Sequence, residues 1–169
     1  NDGSLDTTFG NNGIVISTVG GWDFAVDVTL QPDGKIVAIG SGDGISAYRD
    51  FVLMRYNSDG SLDTSFDTDG KVITDFGGED DGRAVVIQPD GKIVMVGSGN
   101  ALSTFALVRY NSDGTLDTNF GTDGKVITAI GSSSVAYAVD LQSDGNIIVA
   151  GSSYNGSNLD FAIARYTGD

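Results

Sequence analysis

The chain contains no cysteine and no histidine, and its 169 residues include only two prolines and a single glutamate, Glu79. Without cysteine and histidine it can form no Ser-His-Asp or Cys-His nucleophile, no His/Cys zinc site and no disulfide framework. The other 22 of the 23 acidic residues are aspartates, and they accompany 25 glycines. Because Asp and Gly favour turns whereas Glu favours helices, this composition predicts many tight turns between strands and very little helix.

Acidic residues dominate the charge of the chain. With nine Lys and Arg against 23 Asp and Glu, the formal net charge is −14 at pH 7. A surface of this sign repels phosphate backbones and anionic lipids, so we expect no nucleic-acid partner, whereas a cationic ligand or a divalent metal ion fits better. No segment approaches the roughly 20 apolar residues of a membrane-spanning helix, so we expect no membrane insertion. Hydrophobic residues make up 40% of the chain, which is enough for a core.

Internal repeats organise the chain. The motif LDTTFG at Leu5 recurs as LDTSFD at Leu62 and as LDTNFG at Leu116, at spacings of 57 and 54 residues. The motif QPDGKIV occurs twice and returns a third time as QSDGNII, and the dipeptide RY ends a third motif in every copy. A fixed period of this length is typical of repeat folds. We therefore expect a single repeat domain over residues 1–169, with repeats at approximately 5–61, 62–115 and 116–169.

Each repeat is predicted to contain four strands, here called a to d. In the middle repeat they span residues 83–88, 92–98, 104–111 and 125–128, where apolar residues alternate or form short blocks between Gly, Asp and Asn. The a–b link, Pro89-Asp90-Gly91, has the residues of a tight hairpin turn. Four antiparallel strands per repeat of this length predict an all-β, propeller-like segment of three blades, and a solenoid is the second choice.

The repeat strings resemble a known family. FALVRYNSDGTLDTNFGTDGKVIT and AVVIQPDGKIVMVGS are similar to the delta-60 repeat, a bacterial family regarded as propeller-like. The resemblance covers essentially the whole chain and implies a module of large secreted or cell-surface bacterial proteins. It transfers no catalytic residue.

The predicted strands leave one blade divided. Residues 14–18 read as a strand d with no a, b and c before it, and residues 136–166 supply a, b and c with no d after them. We therefore expect the third blade to be split between the termini and completed by strand d of another copy. Two copies would form a six-bladed ring, which is the favoured arrangement; three would form a nine-bladed ring, and failure to close would give a filament. The alternative is a fragment of a longer array with exposed edges.

An arginine lies on an otherwise apolar strand face in each repeat. In strand c, Phe51, Leu53 and Arg55 share one face, so the cation needs a partner. The Asp of the LDT motif is the expected one. The predicted structural ion pairs are Arg55 with Asp63, Arg109 with Asp117, and Arg165 with Asp6. Because the pair recurs in each copy, we interpret it as structural rather than catalytic.

The acidic loop after strand c partly resembles a calcium-binding loop. Its alternating oxygen ligands, a glycine and a later carboxylate match the second half of an EF-hand loop, but an arginine precedes it and no bidentate Glu follows. We therefore interpret these loops mainly as turns capped by side chains. We expect no cofactor, with calcium as the one alternative. The calcium candidates are Asn57, Asp59, Asp63, Asn111, Asp113 and Asp117.

The repeats differ most in their b–c and d–a loops, which lie on one face of a four-stranded meander. The b–c loops are residues 42–50, 99–103 and 153–160. Variable loops on a uniform frame predict a recognition surface, and aromatic rings beside carboxylates suit sugars, cationic groups or a protein ligand. The candidate ligand-binding residues are Trp22, Asp23, Tyr48, Asp80, Asp81 and Tyr154. The alternative is that these rings only cover strand ends.

The sequence favours a non-catalytic module. We expect a structural or interaction module of a secreted or cell-surface bacterial protein, which self-associates through edge strands and presents variable loops for binding. A calcium-stabilised carbohydrate- or protein-binding adhesin domain is the alternative. A glycosidase that uses Asp80 and Asp81 is the third choice, because two adjacent residues on a strand point apart.

Overall fold

The computed structural model of the chain describes residues 2–43 and 48–168, and none of these residues is helical. Accordingly, no described helix is long and apolar enough to cross a membrane. Eleven strands follow one another: β1 (Asp23–Leu30), β2 (Ile36–Asp43), β3 (Arg49–Tyr56), β4 (Lys71–Thr74), β5 (Asp81–Ile87), β6 (Ile93–Gly99), β7 (Thr104–Tyr110), β8 (Lys125–Thr128), β9 (Ser133–Leu141), β10 (Ile147–Tyr154) and β11 (Leu159–Tyr166).

The strands form three antiparallel sheets in which sequence neighbours pair. The first sheet is β1-β2-β3-β4, the second is β5-β6-β7-β8, and the third is β11-β10-β9. The prediction of an all-β fold built from antiparallel repeats is confirmed. The bounds of the middle repeat agree with the sequence prediction to within two residues, because its turn residues are strong local signals.

The recurring turn and glycine motifs account for the sheet geometry. At the β5–β6 hairpin Gly91 has φ +87°, which a residue without a side chain adopts easily, and Asp90 Oδ1 accepts the Lys92 N–H at 3.1 Å. In β6 a Cβ on Gly97 would lie 1.9 Å from the Asp81 carbonyl oxygen, so only glycine fits beside the irregular pairing at Gly82. The same strand motif, with the same irregularity, recurs in all three sheets.

The sheets stack face to face in chain order. Between the first and second sheets, Phe51 and Leu53 pack in a cluster with Met95 and Tyr110. Between the second and third sheets, Phe105 packs in a second cluster with other side chains from both sheets. The second sheet therefore packs against the first sheet with one face and against the third sheet with the other.

The predicted strand over residues 14–18 is not formed, which corrects the sequence analysis. Ile14 makes only isolated bridges with Gly10 and Asn11, and residues 15–18 belong to no ladder. A strand requires a neighbour to hydrogen-bond with, and none of the described strands lies beside this segment. β11, which would be that neighbour, lies at the edge of the third sheet. The split blade is therefore not closed within one chain, and its completion by another copy stays a prediction.

Candidate functional site

Two arginine units hold the long loops that follow β3 and β7. In each unit an arginine binds an aspartate and packs over a phenylalanine. Arg55 Nε lies 2.7 Å from Asp63 Oδ2, and its guanidinium carbon lies 4.2 Å from the centre of the Phe66 ring. Another nitrogen of Arg55 donates to the Ser112 carbonyl of the next repeat at 2.6 Å. The unit therefore links each loop to its own sheet and to the following repeat.

The second arginine unit repeats this geometry. Arg109 Nε lies 2.8 Å from Asp117 Oδ2, and the guanidinium lies 4.5 Å from the centre of the Phe120 ring. Arg109 also donates to the carbonyl of Gly168, which occupies the position that Ser112 has in the first unit. Arg109 and Asp117 are both almost fully buried.

The third predicted ion pair, Arg165 with Asp6, is not formed within the chain. Asp6 instead accepts hydrogen bonds from the backbone and hydroxyl of Thr8, and both Asp6 and Arg165 are exposed. The loop that carries Asp6 is bonded through Gly10 to the loop after β3 of the first repeat, whereas Arg165 lies in β11 of the third sheet. Within one chain the second sheet separates Arg165 from Asp6, so this ion pair stays a prediction for two associated copies.

The aspartates of the two units are held in their charged form. Burial alone would raise the pKa of Asp63, but hydrogen bonds from Lys35 and Ser65 and the charge of Arg55 outweigh it and hold the pKa well below its usual range. Burial likewise opposes ionisation of Asp117, and the Asn119 N–H and the Arg109 charge lower its pKa. Both carboxylates are therefore anionic at neutral pH.

The six calcium candidates are turn and ion-pair residues in this structure. Asp59 Oδ1 accepts the backbone N–H of Ser61 at 2.9 Å, and Asp113 Oδ1 accepts that of Thr115 at 3.0 Å. Asp63 and Asp117 each face an arginine and a lysine. Asn57 and Asn111 donate side-chain hydrogen bonds across the same turns. A calcium ion would compete with two cations for each paired carboxylate, so calcium in these loops stays a prediction without geometric support.

A separate acidic cluster lies where the first sheet meets the second. Asp50, Asp75 and Asp80 each place a carboxylate oxygen within 4.8 Å of the others, a spacing that suits a cation. No sequence motif marks this cluster, because its members come from the start of strand c, the end of strand d and the beginning of the next repeat. Thr104, Ala129 and Ser134 occupy the corresponding positions one repeat later.

Asp80 is the buried centre of this acidic cluster. Its oxygens accept the backbone N–H groups of Phe76 at 2.7 Å and of Asn100 at 2.9 Å. Burial is the main cause that raises the pKa of Asp80 to about 6, and the charges of Asp75 and Asp50 add to it. An ionised Asp80 at pH 7 therefore costs about 3 kcal/mol of stability relative to an ordinary aspartate.

We expect Asp75→Asn to stabilise the fold at pH 7 but not at pH 4. The native state keeps the Asp80 proton between about pH 4 and pH 6 while the unfolded chain loses it, so this group lowers stability as pH rises through that window. Removing the Asp75 charge should recover about 1 kcal/mol at pH 7, measured by urea unfolding at both values. Asp69→Asn is the control, because Asp69 accepts the Lys71 N–H two residues on in the same way that Asp75 accepts the Gly77 N–H. A gain that is equal at both pH values would contradict the assignment.

Two aromatic rings of the variable loops line one open cleft. Trp22 and Tyr48 lie in it together, in a cleft of about 420 Å³ whose other lining residues are Phe24, Asp43, Arg49 and Glu79. Trp22 is 82% exposed. Residues 44–47, within the variable loop 42–50, lie outside the described part of the chain. The two rings come from a d–a loop and a b–c loop, which the meander places on one face.

Arg49 organises the floor of this cleft. Its Nε donates to Glu79 Oε1 at 3.0 Å, its guanidinium lies 5.5 Å from the centre of the Phe24 ring, and it lies 3.3 Å from Asp81 Oδ1. The hydrogen bond to Glu79 raises the pKa of Arg49, so the side chain stays charged. The only glutamate of the chain thus lies in the cleft. Exposed aromatic rings can stack on a sugar, and the charged side chains fixed beside them can hydrogen-bond to its hydroxyls.

The other four candidate ligand-binding residues do not line the cleft. Asp23 accepts the Val19 N–H at 3.0 Å, and Tyr154 lies at the end of β10 in the third sheet. Asp80 and Asp81 are buried, Asp80 in the acidic cluster and Asp81 beside Arg49 and Arg83. Sequence reasoning missed Phe24, Arg49 and Glu79 as cleft residues. Only the isolated glutamate signalled one of them.

Comparison with known proteins identifies the repeat. No curated protein matches the chain. A family model described as a domain of unknown function with a beta-propeller fold, DUF5122, matches residues 31–66, 88–120 and 142–169. Each matched segment begins at the a–b turn and runs through the next two strands, and the first two end at the phenylalanine of the arginine unit. The matches cover more than half of the chain, and the chain therefore belongs to the DUF5122 beta-propeller family.

Proposed function

We propose that this protein is a non-catalytic interaction module that self-associates through its outer sheet faces and edge strands and displays its variable loops to a ligand. In this proposal two copies form a six-bladed ring, within the range of about four to eight blades seen in closed propellers. The similarity to the delta-60 repeat supports placing the module in a secreted or cell-surface bacterial protein.

One observation carries the self-association proposal. Phe161 and Ile163 on β11 are 100% and 71% exposed, whereas Phe105 and Leu107, at the same positions of the second repeat, are completely buried. Bulky apolar side chains on a sheet face are typical of a surface that another element covers. The second repeat buries these two side chains between the second and third sheets. The third repeat has its equivalent side chains exposed on the outer face of the third sheet.

The outer face of the first sheet supplies the complementary surface. Val28 and Leu30 on β1 are 60% and 67% exposed. Val85 and Ile87, their counterparts on β5, pack against the first sheet within the chain. The two outer faces are therefore the two halves of an interface that the chain already forms internally, which supports head-to-tail association.

Sedimentation velocity over a range of protein concentrations tests the proposal. The chain mass is 17.4 kDa, and we expect a species of twice this mass that dissociates on dilution. A single species of 17.4 kDa at every concentration would contradict self-association. In that case the outer faces of the first and third sheets would be surfaces for other repeats or for another partner.

The carboxylates support a non-catalytic assignment. A glycosidase needs two carboxylates that contact the substrate from opposite sides. Asp80 is completely buried and Asp81 is buried between Arg49 and Arg83. The positions proposed for glycosidase chemistry are thus better explained by packing and ion pairing.

The second candidate function is a carbohydrate- or protein-binding adhesin domain stabilised by calcium. The cleft of Trp22 and Tyr48 favours a sugar ligand, since two exposed rings flank a charged floor. The acidic cluster of Asp50, Asp75 and Asp80, rather than the loops after strand c, is where a calcium ion fits best.

We expect Trp22→Ala to weaken saccharide binding at least tenfold without lowering the melting temperature, because the ring is largely exposed. Trp22 is the only tryptophan, so its fluorescence reports ligand in the cleft of the unmodified protein, and affinity electrophoresis in gels with xylan, hydroxyethyl cellulose or chitosan compares the variant. Tyr154→Ala, an exposed ring outside the cleft, is the control. Equal retardation of the unmodified protein, Trp22→Ala and Tyr154→Ala would contradict the assignment of the cleft as the saccharide site.

A calcium titration separates the two candidate functions. The interaction module needs no metal, so we expect the melting temperature at pH 7 in EDTA and in calcium to agree within about 1 °C. A rise of several degrees in calcium that disappears in Asp75→Asn would support the adhesin alternative. Magnesium is the control, because a flexible carboxylate cluster prefers the larger ion.

A further inference from the structure

We propose that β11 of a second copy pairs antiparallel with residues 14–17 of this chain in one defined register, and that the same junction completes a third arginine unit across the two copies. This inference rests on the self-association proposed above and names its partner and geometry. It follows from contacts that the N-terminal segment already makes with the first sheet.

The N-terminal segment is docked as if it were the end of a preceding blade. Gly10 donates its N–H to the Asp59 carbonyl at 2.8 Å, as Asp67 does to Asp113 one repeat later at 2.7 Å. Both bonds join the loop after strand c of one blade to the next blade. Residues 5–10 therefore take the position of that loop although no strand c precedes them among the described residues.

Contacts of two equivalent lysines show that residues 14–17 take the position of a strand d. Lys71 Nζ donates to the Thr18 carbonyl at 2.7 Å, and Lys125 Nζ donates to the Asp75 carbonyl at 2.7 Å. Asp75 directly follows β4, the last strand of the first sheet. Residues 14–17 thus lie where a strand d lies on the next sheet, with their backbone free of a ladder partner.

The internal repeat fixes the register of the missing pairing. In the first sheet Phe51 pairs with Thr74 and Leu53 pairs with Val72. Aligning the repeats places Phe161 of one copy opposite Ser17 of the other, and Ile163 opposite Val15. Since neighbouring residues of a strand point to opposite faces and β11 is already held by β10, a shift of one residue would turn Val15 away from the face that it has to share with Ile163.

The same arrangement completes the arginine unit. Arg165 aligns with Arg55 and Arg109, and Asp6 and Phe9 align with the aspartate and phenylalanine of both complete units. When the third sheet of one copy stacks on the first sheet of another, Arg165 meets Asp6 and Phe9 of that copy. An exposed arginine and an exposed aspartate thereby become a paired, buried unit like the two already formed.

Two other features of the molecule, the acidic cluster and the cleft of Trp22, support weaker inferences. The acidic cluster has no second feature that points to a ligand, and the cleft of Trp22 belongs to the proposed function. The stacked faces are different because the chain itself contains two copies of the proposed junction, one between the first and second sheets and one between the second and third.

Disulfide trapping tests the register, and the absence of cysteine from the chain makes it specific. In the double variant Val15→Cys with Ile163→Cys, oxidation should form cross-linked oligomers in more than half of the chains at concentrations where the protein associates. The register-shifted control, Ile16→Cys with Ile163→Cys, should cross-link at least tenfold less. Ile16→Cys with Ala162→Cys, the counterparts of Ile73 and Val52, is a second in-register pair that leaves Phe161 in place, in case the first variant folds poorly.

The outcomes separate this inference from the proposed function. Cross-linking of the in-register pairs alone supports the junction. Association of the reduced variants without cross-linking of either in-register pair, or equal cross-linking of the shifted pair, overturns the register while self-association stands. Failure of the unmodified protein to associate overturns both.

Discussion

Asp117→Ala is expected to lower the free energy of unfolding by about 3 to 5 kcal/mol, because it leaves the buried Arg109 guanidinium without its carboxylate. Lys92 also loses a partner at 3.4 Å, and Phe120 alone cannot satisfy the cation. In a chain of this size the loss corresponds to a melting temperature lower by about 10 °C. Thermal and urea unfolding at pH 7 measure the effect.

The matched control for Asp117→Ala is Asp113→Ala in the same loop. Asp113 is exposed and caps the backbone of Thr115 without contacting an arginine side chain directly, so its loss should cost about 1 kcal/mol or less. The lowered pKa of Asp117 adds a second signature: its stabilisation is present above about pH 4 and is lost as pH falls below that value, so the difference between the unmodified protein and Asp117→Ala should shrink in acid. Equal effects of the two substitutions would contradict a structural role for the pair.

Phe105→Ala and Phe161→Ala alter the same position of two repeats, but the first should lower stability and the second should weaken self-association. Phe105 is completely buried between the second and third sheets, so its truncation should cost about 3 to 5 kcal/mol of stability. Phe161 is completely exposed, so its truncation should leave the stability of a dilute, monomeric sample within about 0.5 kcal/mol. Instead it should weaken self-association at least tenfold, as loss of a central aromatic residue does at interfaces.

The pair of phenylalanine variants needs two measurements. Urea unfolding at low protein concentration reports the stability of the single chain, and sedimentation reports the association. Glu79→Gln is a suitable surface control for association, because Glu79 contacts Arg49 in the cleft rather than either outer face. If Phe161→Ala sediments like the unmodified protein, the exposed face of the third sheet is not the interface.

Local signals made most of the fold predictable. The turn at Gly91 and the alternating patterns of β5 and β6 lie within a few residues of each other in sequence, and the structure follows them closely. The partners of Arg55 and Arg109 were also predictable, since strand alternation leaves a cation on an apolar face and each aspartate lies eight residues further on.

Predictions that needed a neighbour from elsewhere were less successful. Residues 14–18 have the composition of strand d, but a ladder requires a strand beside them, and composition does not reveal whether one is present. Arg165 and Asp6 carry the same motif as the formed pairs, yet they lie on opposite sides of the stack. The acidic cluster around Asp80 and the cleft floor around Arg49 combine residues from two repeats, so no single motif marks them.

Sedimentation of mixed charge-reversed copies tests most directly whether the two outer faces form one interface. Asp6→Arg and Arg165→Asp each place like charges at every junction, so each variant alone should sediment as the 17.4 kDa chain. A 1:1 mixture restores opposite charges at both junctions of a two-copy ring, and we predict that it regains twice the chain mass. Mixed copies that remain at the mass of one chain, under conditions where the unmodified protein associates, would contradict the account.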